Sequence, residues 1–208
     1  VPQGDVPGEH YARTQPIPSK PPAYDRQGFA VDDLIDFTPE LRKQGEAAIT
    51  NYRIGPIFTP PSLSRAEGPI ATLIMGAQGA ATNWPGGSFD PETGLLYVAS
   101  ESSPRPMGLV PPAPGVSDLP YHQGTVLSGA RRSGGSGSAT AEAGGANPGL
   151  GVQGLPLVKP PYSRISAIEL TKGEIRWQVP HGATPDLVKN HPALKGLDIP
   201  PTGRPGNN

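Results

Sequence analysis

The sequence predicts an all-β fold: a partial β-propeller of about one four-stranded antiparallel blade plus an adjoining strand, with long Pro/Gly-rich loops and one short helix. Two segments carry this reading. In the first, Phe89 leads into Asp90-Pro91-Glu92-Thr93-Gly94 and then Leu95-Leu96-Tyr97-Val98. In the second, Ile165 to Leu170 leads into Thr171-Lys172-Gly173 and then Glu174 to Val179. Each is a pair of β-type runs joined by a tight turn in which glycine can take the positive φ a hairpin needs. The two hairpins give strands at about 86–90, 95–100, 163–170 and 174–179. Four strands with these turns have the form of one propeller blade. The acidic-x-x-x-Gly turn occurs twice, at Asp90 to Gly94 and Glu169 to Gly173, which hints at a repeat architecture.

The remaining elements follow in order. Residues 1–69 read as a Pro-rich extended segment containing a helix at about 39–51. Its first 30 residues carry Val6-Pro7, Gln15-Pro16, Ile17-Pro18 and Lys20-Pro21-Pro22. Proline removes amide donors and holds the residue before it extended, so neither a helix nor a central strand fits. This stretch is expected to lie on a surface made by other parts of a parent protein. Thr38 can cap the helix, Pro39 suits its first position, and Glu40 complements the positive end of the dipole. Leu41, Ala48 and Ile49 give it a partial apolar face, which Gly45 weakens by about 1 kcal/mol relative to alanine. Residues 70–180 read as the blade region. It opens on a buried strand, Ile70 to Gly76, and is interrupted by an insertion at 101–160. Pro104, Pro106, Pro111, Pro112 and Pro114 are expected to break up regular structure there, and residues 128–154 form a low-complexity Gly/Ala/Ser tract. Residues 181–208 read as a Pro-rich connection to a next blade, with a helical turn near 185–190.

Composition narrows the function classes. Glycine (28) and proline (29) make up more than a quarter of the 208 residues, and only 35% are apolar. Such a chain has limited apolar surface to set against the entropy of ordering it. Net charge is −1 with no basic stripe, so nucleic acid is not an expected partner. The absence of cysteine excludes disulfides and thiolate metal sites. No apolar run approaches the roughly 18 residues of a membrane span. Both ends read as the interior of a longer chain, so the expectation is an internal piece.

Several strings, in order, resemble the pyrroloquinoline quinone (PQQ)-dependent dehydrogenases, and are most similar to the membrane-type quinoprotein glucose dehydrogenases. Thr14-Gln15-Pro16 with Pro18 and Lys20-Pro21-Pro22 is similar to that group's TQP-F-x-x-K-P segment. Gly55-Pro56-Ile57-Phe58-Thr59-Pro60-Pro61-Ser62 resembles G-x-[IL]-F-T-P-P-S. Asn83-Trp84-Pro85-Gly86-Gly87 with Phe89-Asp90-Pro91-Glu92-Thr93-Gly94 resembles NWGG-x-x-[FVY]-D-P-x-T-G. Ser166-Ala167-Ile168-Glu169 through Gly173 and Trp177 is similar to the blade motif A-x-D-x-x-T-G-x-x-x-W. Glu169, Lys172 and Pro85 depart from these patterns; Pro85 bears on the backbone beside Asn83.

The resemblance implies an eight-bladed propeller holding PQQ near its axis, above a calcium or magnesium ion. It implies a sugar or alcohol substrate, with aldose favoured, and electron delivery to ubiquinone. It also implies a periplasmic location, with membrane association through an anchor ahead of residue 1. Asn83 is then the candidate to hydrogen-bond the quinone, and Trp84 the candidate to line its cavity. Trp177 is the blade tryptophan that packs between neighbouring blades. The general base and metal ligands are expected outside this chain, in the remaining blades.

Other residues read more plainly. Asp32, Asp33 and Asp36 lack the oxygen spacing and central glycine of a calcium loop and suit a solvated approach to the helix. Asp90 suits a turn cap. His10, His122, His181 and His191 have no metal-ligand spacing. Two rivals stand beside the enzyme reading: a non-catalytic propeller module used for binding or scaffolding, and an inactive fragment with no independent function.

Overall fold

A computed structural model describes residues 1–76, 81–82, 86–127, 129–130 and 150–204. Residues 1–28 run without helix or strand, as their prolines dictate. A short 3₁₀ turn, Val31–Asp33, precedes the helix α1, Pro39–Ala48. Thr38 Oγ1 accepts from Leu41 N at 3.2 Å, satisfying one of the free donors of the first turn. The helix stops at Ala48, short of the expected 51, because the chain leaves it to pair elsewhere. Asn51 O accepts from Ile70 N at 2.8 Å, and Arg53 exchanges bonds of 2.9 Å with Ala71 O and Leu73 N. Gly45 sits in the buried face of α1, where a Cβ would meet Ile35 Cγ2 at 3.3 Å. Close packing against Ile35 therefore accounts for a residue that lowers helix propensity.

The strands are β1 Ser62–Leu63, β2 Thr72–Met75, β3 Gly87–Asp90, β4 Leu95–Glu101, β5 Pro104–Val110, β6 His122–Thr125, β7 Gly129–Ala130, β8 Gly151–Val152, β9 Leu155–Pro156, β10 Ser163–Glu169 and β11 Glu174–Pro180. A four-residue helix α2, Asp186–Lys189, and a 3₁₀ turn, Pro192–Leu194, follow. The four predicted strands form one sheet in the order β11-β10-β4-β3. Every pairing in it is antiparallel: Gly87 opposite Val98, Ser163 opposite Glu101, and Arg164 opposite Pro180. Gly94 (φ 69) and Gly173 (φ 65) close the two hairpins in the left-handed region. No closed barrel forms among the described residues, and the four-stranded sheet is open, as a single blade would be.

The insertion differs from its sequence reading. Pro104 and Pro106 lie inside β5, a seven-residue strand paired with β1, β2 and β6. Residues two apart send their N–H groups to the same side of a strand. Prolines at 104 and 106 therefore remove donors from one side only, leaving Arg105 and Met107 to bond on the other.

The main core also lies off the blade. Phe29, Leu34, Ile35, Leu41, Leu73, Leu155, Leu157, Val158, Tyr162 and Val188 are buried together, drawn from the N-terminal region, β2, the β8-β9 hairpin and α2. Segments that read as loops around a blade thus supply most of the packed apolar surface.

The two faces of the blade differ. On one, Ser166, Ile168 and Val98 are buried. The Pro-rich segment crosses this face: Gln178 Nε2 donates to Tyr24 O at 2.6 Å, and Lys20 Nζ donates to Lys172 O at 3.2 Å. The segment expected to lie on missing material instead straps this chain's own sheet. The opposite face, carrying Trp177, Val179 and Tyr97 in register, is open, with Trp177 42% exposed.

Candidate functional site

Asn83 and Trp84, with Pro85, lie outside the described residues, and the structure places their flanks. On the near side, Ala81 (φ 61) exchanges two bonds with Glu101 of β4: Ala81 N to Glu101 O at 2.9 Å and Glu101 N to Ala81 O at 3.2 Å. Thr82 Oγ1 donates to Ala99 O at 2.9 Å and accepts from the Tyr24 hydroxyl at 3.1 Å. On the far side, Gly87 begins β3 opposite Val98, and a Cβ there would meet Tyr97 O at 2.7 Å. Both ends of the segment that carries Asn83 and Trp84 are therefore fixed to β4.

A cavity of about 450 Å³ opens beside Ala81, between the strap and the turn at 55–59. Tyr24, Met75, Ala81 and Phe58 belong to its wall. Phe58 holds φ 68, a left-handed conformation uncommon for a bulky residue, and is 42% exposed.

Beneath the strap lies a buried ionic cluster. Asp25 Oδ1 accepts from Ser102 Oγ at 2.6 Å and from Arg26 N at 2.7 Å, and lies 3.6 Å from Arg164 Nη2. Arg26 Nη2 donates to Pro160 O at 3.1 Å, and Arg26 Nε lies 3.6 Å from Asp33 Oδ1. Burial, with the Arg164 charge nearby, lowers the Arg26 pKa from its ordinary value. Burial raises that of the Tyr162 phenol, which has no hydrogen-bond partner. The cluster joins the N-terminal strap (Asp25, Arg26) to the start of β10 (Arg164).

Other expected residues fall apart in space or into turns. Asp33 accepts from Ala30 N and pairs with Arg26, whereas the Asp32 side chain is fully in solvent, 3.8 Å from Arg42. Asp90 caps its turn, accepting from Thr93 Oγ1 at 2.6 Å and Glu92 N at 3.0 Å; these two bonds hold its carboxyl below the usual range. His191 Nδ1 accepts from Ala193 N. Trp177 lies with its ring centroid 5.8 Å from that of Tyr97.

Sequence reasoning missed Tyr24, Thr82, Asp25 and Arg164. Tyr24 and Thr82 are 58 residues apart, and Asp25 and Ser102 are 77 apart. No local spacing marks such pairs; only the crossing of the strap over the sheet brings them together.

Among the described residues, no group of three or more His, Asp or Glu could hold a metal ion. No described helix is long and apolar enough to cross a membrane.

An open four-stranded blade with one face strapped and the other bare defines a propeller segment. The chain belongs to the PQQ-dependent dehydrogenase family: residues 1–208 match the family model described as glucose/ethanol/alcohol dehydrogenase, beta-propeller domain. It is also similar to a quinate/shikimate dehydrogenase (quinone) from Acinetobacter baylyi, at 24% identity over 188 residues. That match covers 88% of this chain and 22% of the relative, so the chain spans about a fifth of the relative's length. No solved structure matches.

Proposed function

We propose that this chain is one section of a quinoprotein dehydrogenase that oxidises a hydroxyl of a sugar, or of another alcohol, and passes the electrons to ubiquinone. The observation that carries the reading is the family match over residues 1–208, joined to a four-stranded sheet whose Trp177 face is bare. Such a face suits contact with a neighbouring blade of the complete ring. Bound PQQ supplies the two-electron acceptor for the carbon-bound hydrogen, while a general base takes the hydroxyl proton. This chain's contribution is binding and orientation. Asn83 would hold the quinone through its amide, and Trp84 would line the cofactor site. The general base and the ligands of a calcium or magnesium ion come from other blades. The location is periplasmic, with a membrane anchor elsewhere in the parent.

A second substrate class is favoured by the named activity of the Acinetobacter baylyi relative, namely ring hydroxyls such as those of quinate or shikimate. One experiment separates these readings. The full-length protein is reconstituted with PQQ and calcium or magnesium, and dye reduction is followed with aldoses, simple alcohols and quinate in turn. Turnover with aldoses supports the main reading, and turnover with quinate alone transfers it to the second. Failure of the protein to bind PQQ leaves a non-catalytic propeller module.

A further inference from the structure

We propose that Arg53, Arg65 and the Leu63 amide form an oxoanion site that the chain fills with its own Asp5, and that a free divalent oxoanion competes for it and releases the run ahead of the strap. Asp5 Oδ2 accepts from Arg53 Nη2 and from Arg65 Nη1, each at 3.0 Å. Asp5 Oδ1 accepts from Leu63 N at 3.0 Å. Three donors thus converge on one carboxylate. Among the described residues, neither guanidinium has a second carboxylate partner.

The donors are set in place by elements other than the one that fills the site. Arg53 is pinned through its backbone to Ala71 and Leu73. Leu63 lies in β1, in register with Leu109 of β5. Arg65 N donates to Pro69 O at 3.1 Å, and Arg65 O accepts from Gly68 N at 3.2 Å, closing a turn just beyond β1. None of these bonds involves residues 1–19, so the site does not need Asp5 to hold its shape.

Asp5 is held by less. Among the described residues, it makes every hydrogen bond that joins residues 1–19 to the rest of the chain. Residues 7–19 are exposed, and the first anchor of the strap is Lys20. Asp5 is therefore a ligand on a tether, which competes at an effective concentration in the millimolar range. The charges favour the competitor. Two guanidinium groups around one carboxylate leave a surplus positive charge, which a dianion neutralises, and its several oxygens suit the forked donors. The Arg53 and Asp5 side chains are 27% and 21% exposed, so solvent reaches the site and screens it only in part.

The test uses the full-length protein and inorganic sulfate. Binding is read by titration calorimetry, and release by the mobility of a spin label attached through Gln3→Cys. Sulfate should mobilise the label at about millimolar concentration, and sodium chloride of equal ionic strength should not. Asp5→Ala should leave the label mobile from the start and bind sulfate about tenfold more tightly, because the tethered competitor is gone. Arg65→Gln added to Asp5→Ala should abolish that binding; Arg53→Gln removes the other guanidinium and keeps the test decisive if the first double variant folds poorly. Vesicles of phosphatidylglycerol, whose phosphate carries one charge, should leave the label fixed. If Asp5→Ala binds sulfate no more tightly than the parent, or keeps the binding without Arg53 or Arg65, there is no oxoanion site here. If chloride frees the label as well as sulfate does, the contact is an ordinary screened ion pair and the proposal is wrong. If vesicles free the label and sulfate does not, the assignment to a free dianion is overturned.

Discussion

The ionic cluster under the strap gives the strongest quantitative prediction. Asp25→Ala removes the carboxylate that sits between two guanidinium groups. The Asp25 and Arg164 side chains are 9% and 12% exposed, so solvent screens the pair little. The substitution leaves Arg164, whose Nε already lacks a partner, with no carboxylate and only the neutral acceptors Ser102 Oγ and Pro161 O, and takes the acceptor from Ser102 Oγ and Arg26 N. It also leaves Arg26 and Arg164 facing each other with less opposing charge, a repulsion already felt at Arg26. Removing one member of a buried pair costs about 3–5 kcal/mol, whereas replacing both by apolar residues of similar volume is often near neutral. Asp25→Ala and Arg164→Ala should therefore each lose about 3–5 kcal/mol, and Asp25→Leu with Arg164→Met should recover most of it. Urea unfolding followed by circular dichroism, with linear extrapolation, gives the four values. A loss below about 1 kcal/mol for Asp25→Ala, or a double variant no more stable than Asp25→Ala alone, would refute the buried-pair argument.

Three further outcomes are expected. Burial pushes the Asp5 carboxyl up, but the N–H of Leu63 and the guanidinium groups of Arg53 and Arg65 outweigh it and hold the carboxyl below 3.8. Its contribution to stability is therefore complete above that value and is lost as pH falls through the lower folded one; Asp5→Asn should flatten the urea midpoint between about pH 5 and 2. Gly203→Ala should cost more than the roughly 1–2 kcal/mol that left-handed backbone imposes on a Cβ. Gly203 has φ 68, and the new methyl would run into Ser163 O and into His181 O at 2.9 Å; a thermal melt within 1 °C of the parent chain would contradict this. The 208-residue chain with PQQ and calcium should show no glucose:dye turnover, since the base and metal ligands are assigned to other blades; measurable turnover would overturn that assignment.

Much of the fold was legible in the residues because its signals are local. The turns at Asp90 to Gly94 and Glu169 to Gly173 each contain their own conformational instruction, a capping oxygen and a glycine free to take positive φ. Thr38, Pro39 and Glu40 likewise mark the start of α1 within three consecutive positions. Where a signal depended on neighbours, local reading failed. Pro104 and Pro106 look like strand breakers until the side on which β5 bonds is known, and Gly45 looks like a weakness until Ile35 is packed against it.

By itself the sequence determined that two hairpins would form, where they would turn, and which family they belong to. Each hairpin is written within about a dozen consecutive residues, and the family in the order of several short strings from Thr14 to Trp177. Only the tertiary structure decided that the prolines would strap this chain's own sheet, that the core would gather around α1 and the β8-β9 hairpin, and that Tyr24 would meet Thr82. The reason is that an ion pair or hydrogen bond between side chains dozens of residues apart leaves no spacing to read. Its partners are chosen by which chain crosses which sheet, and that is settled when the whole apolar surface is buried at once.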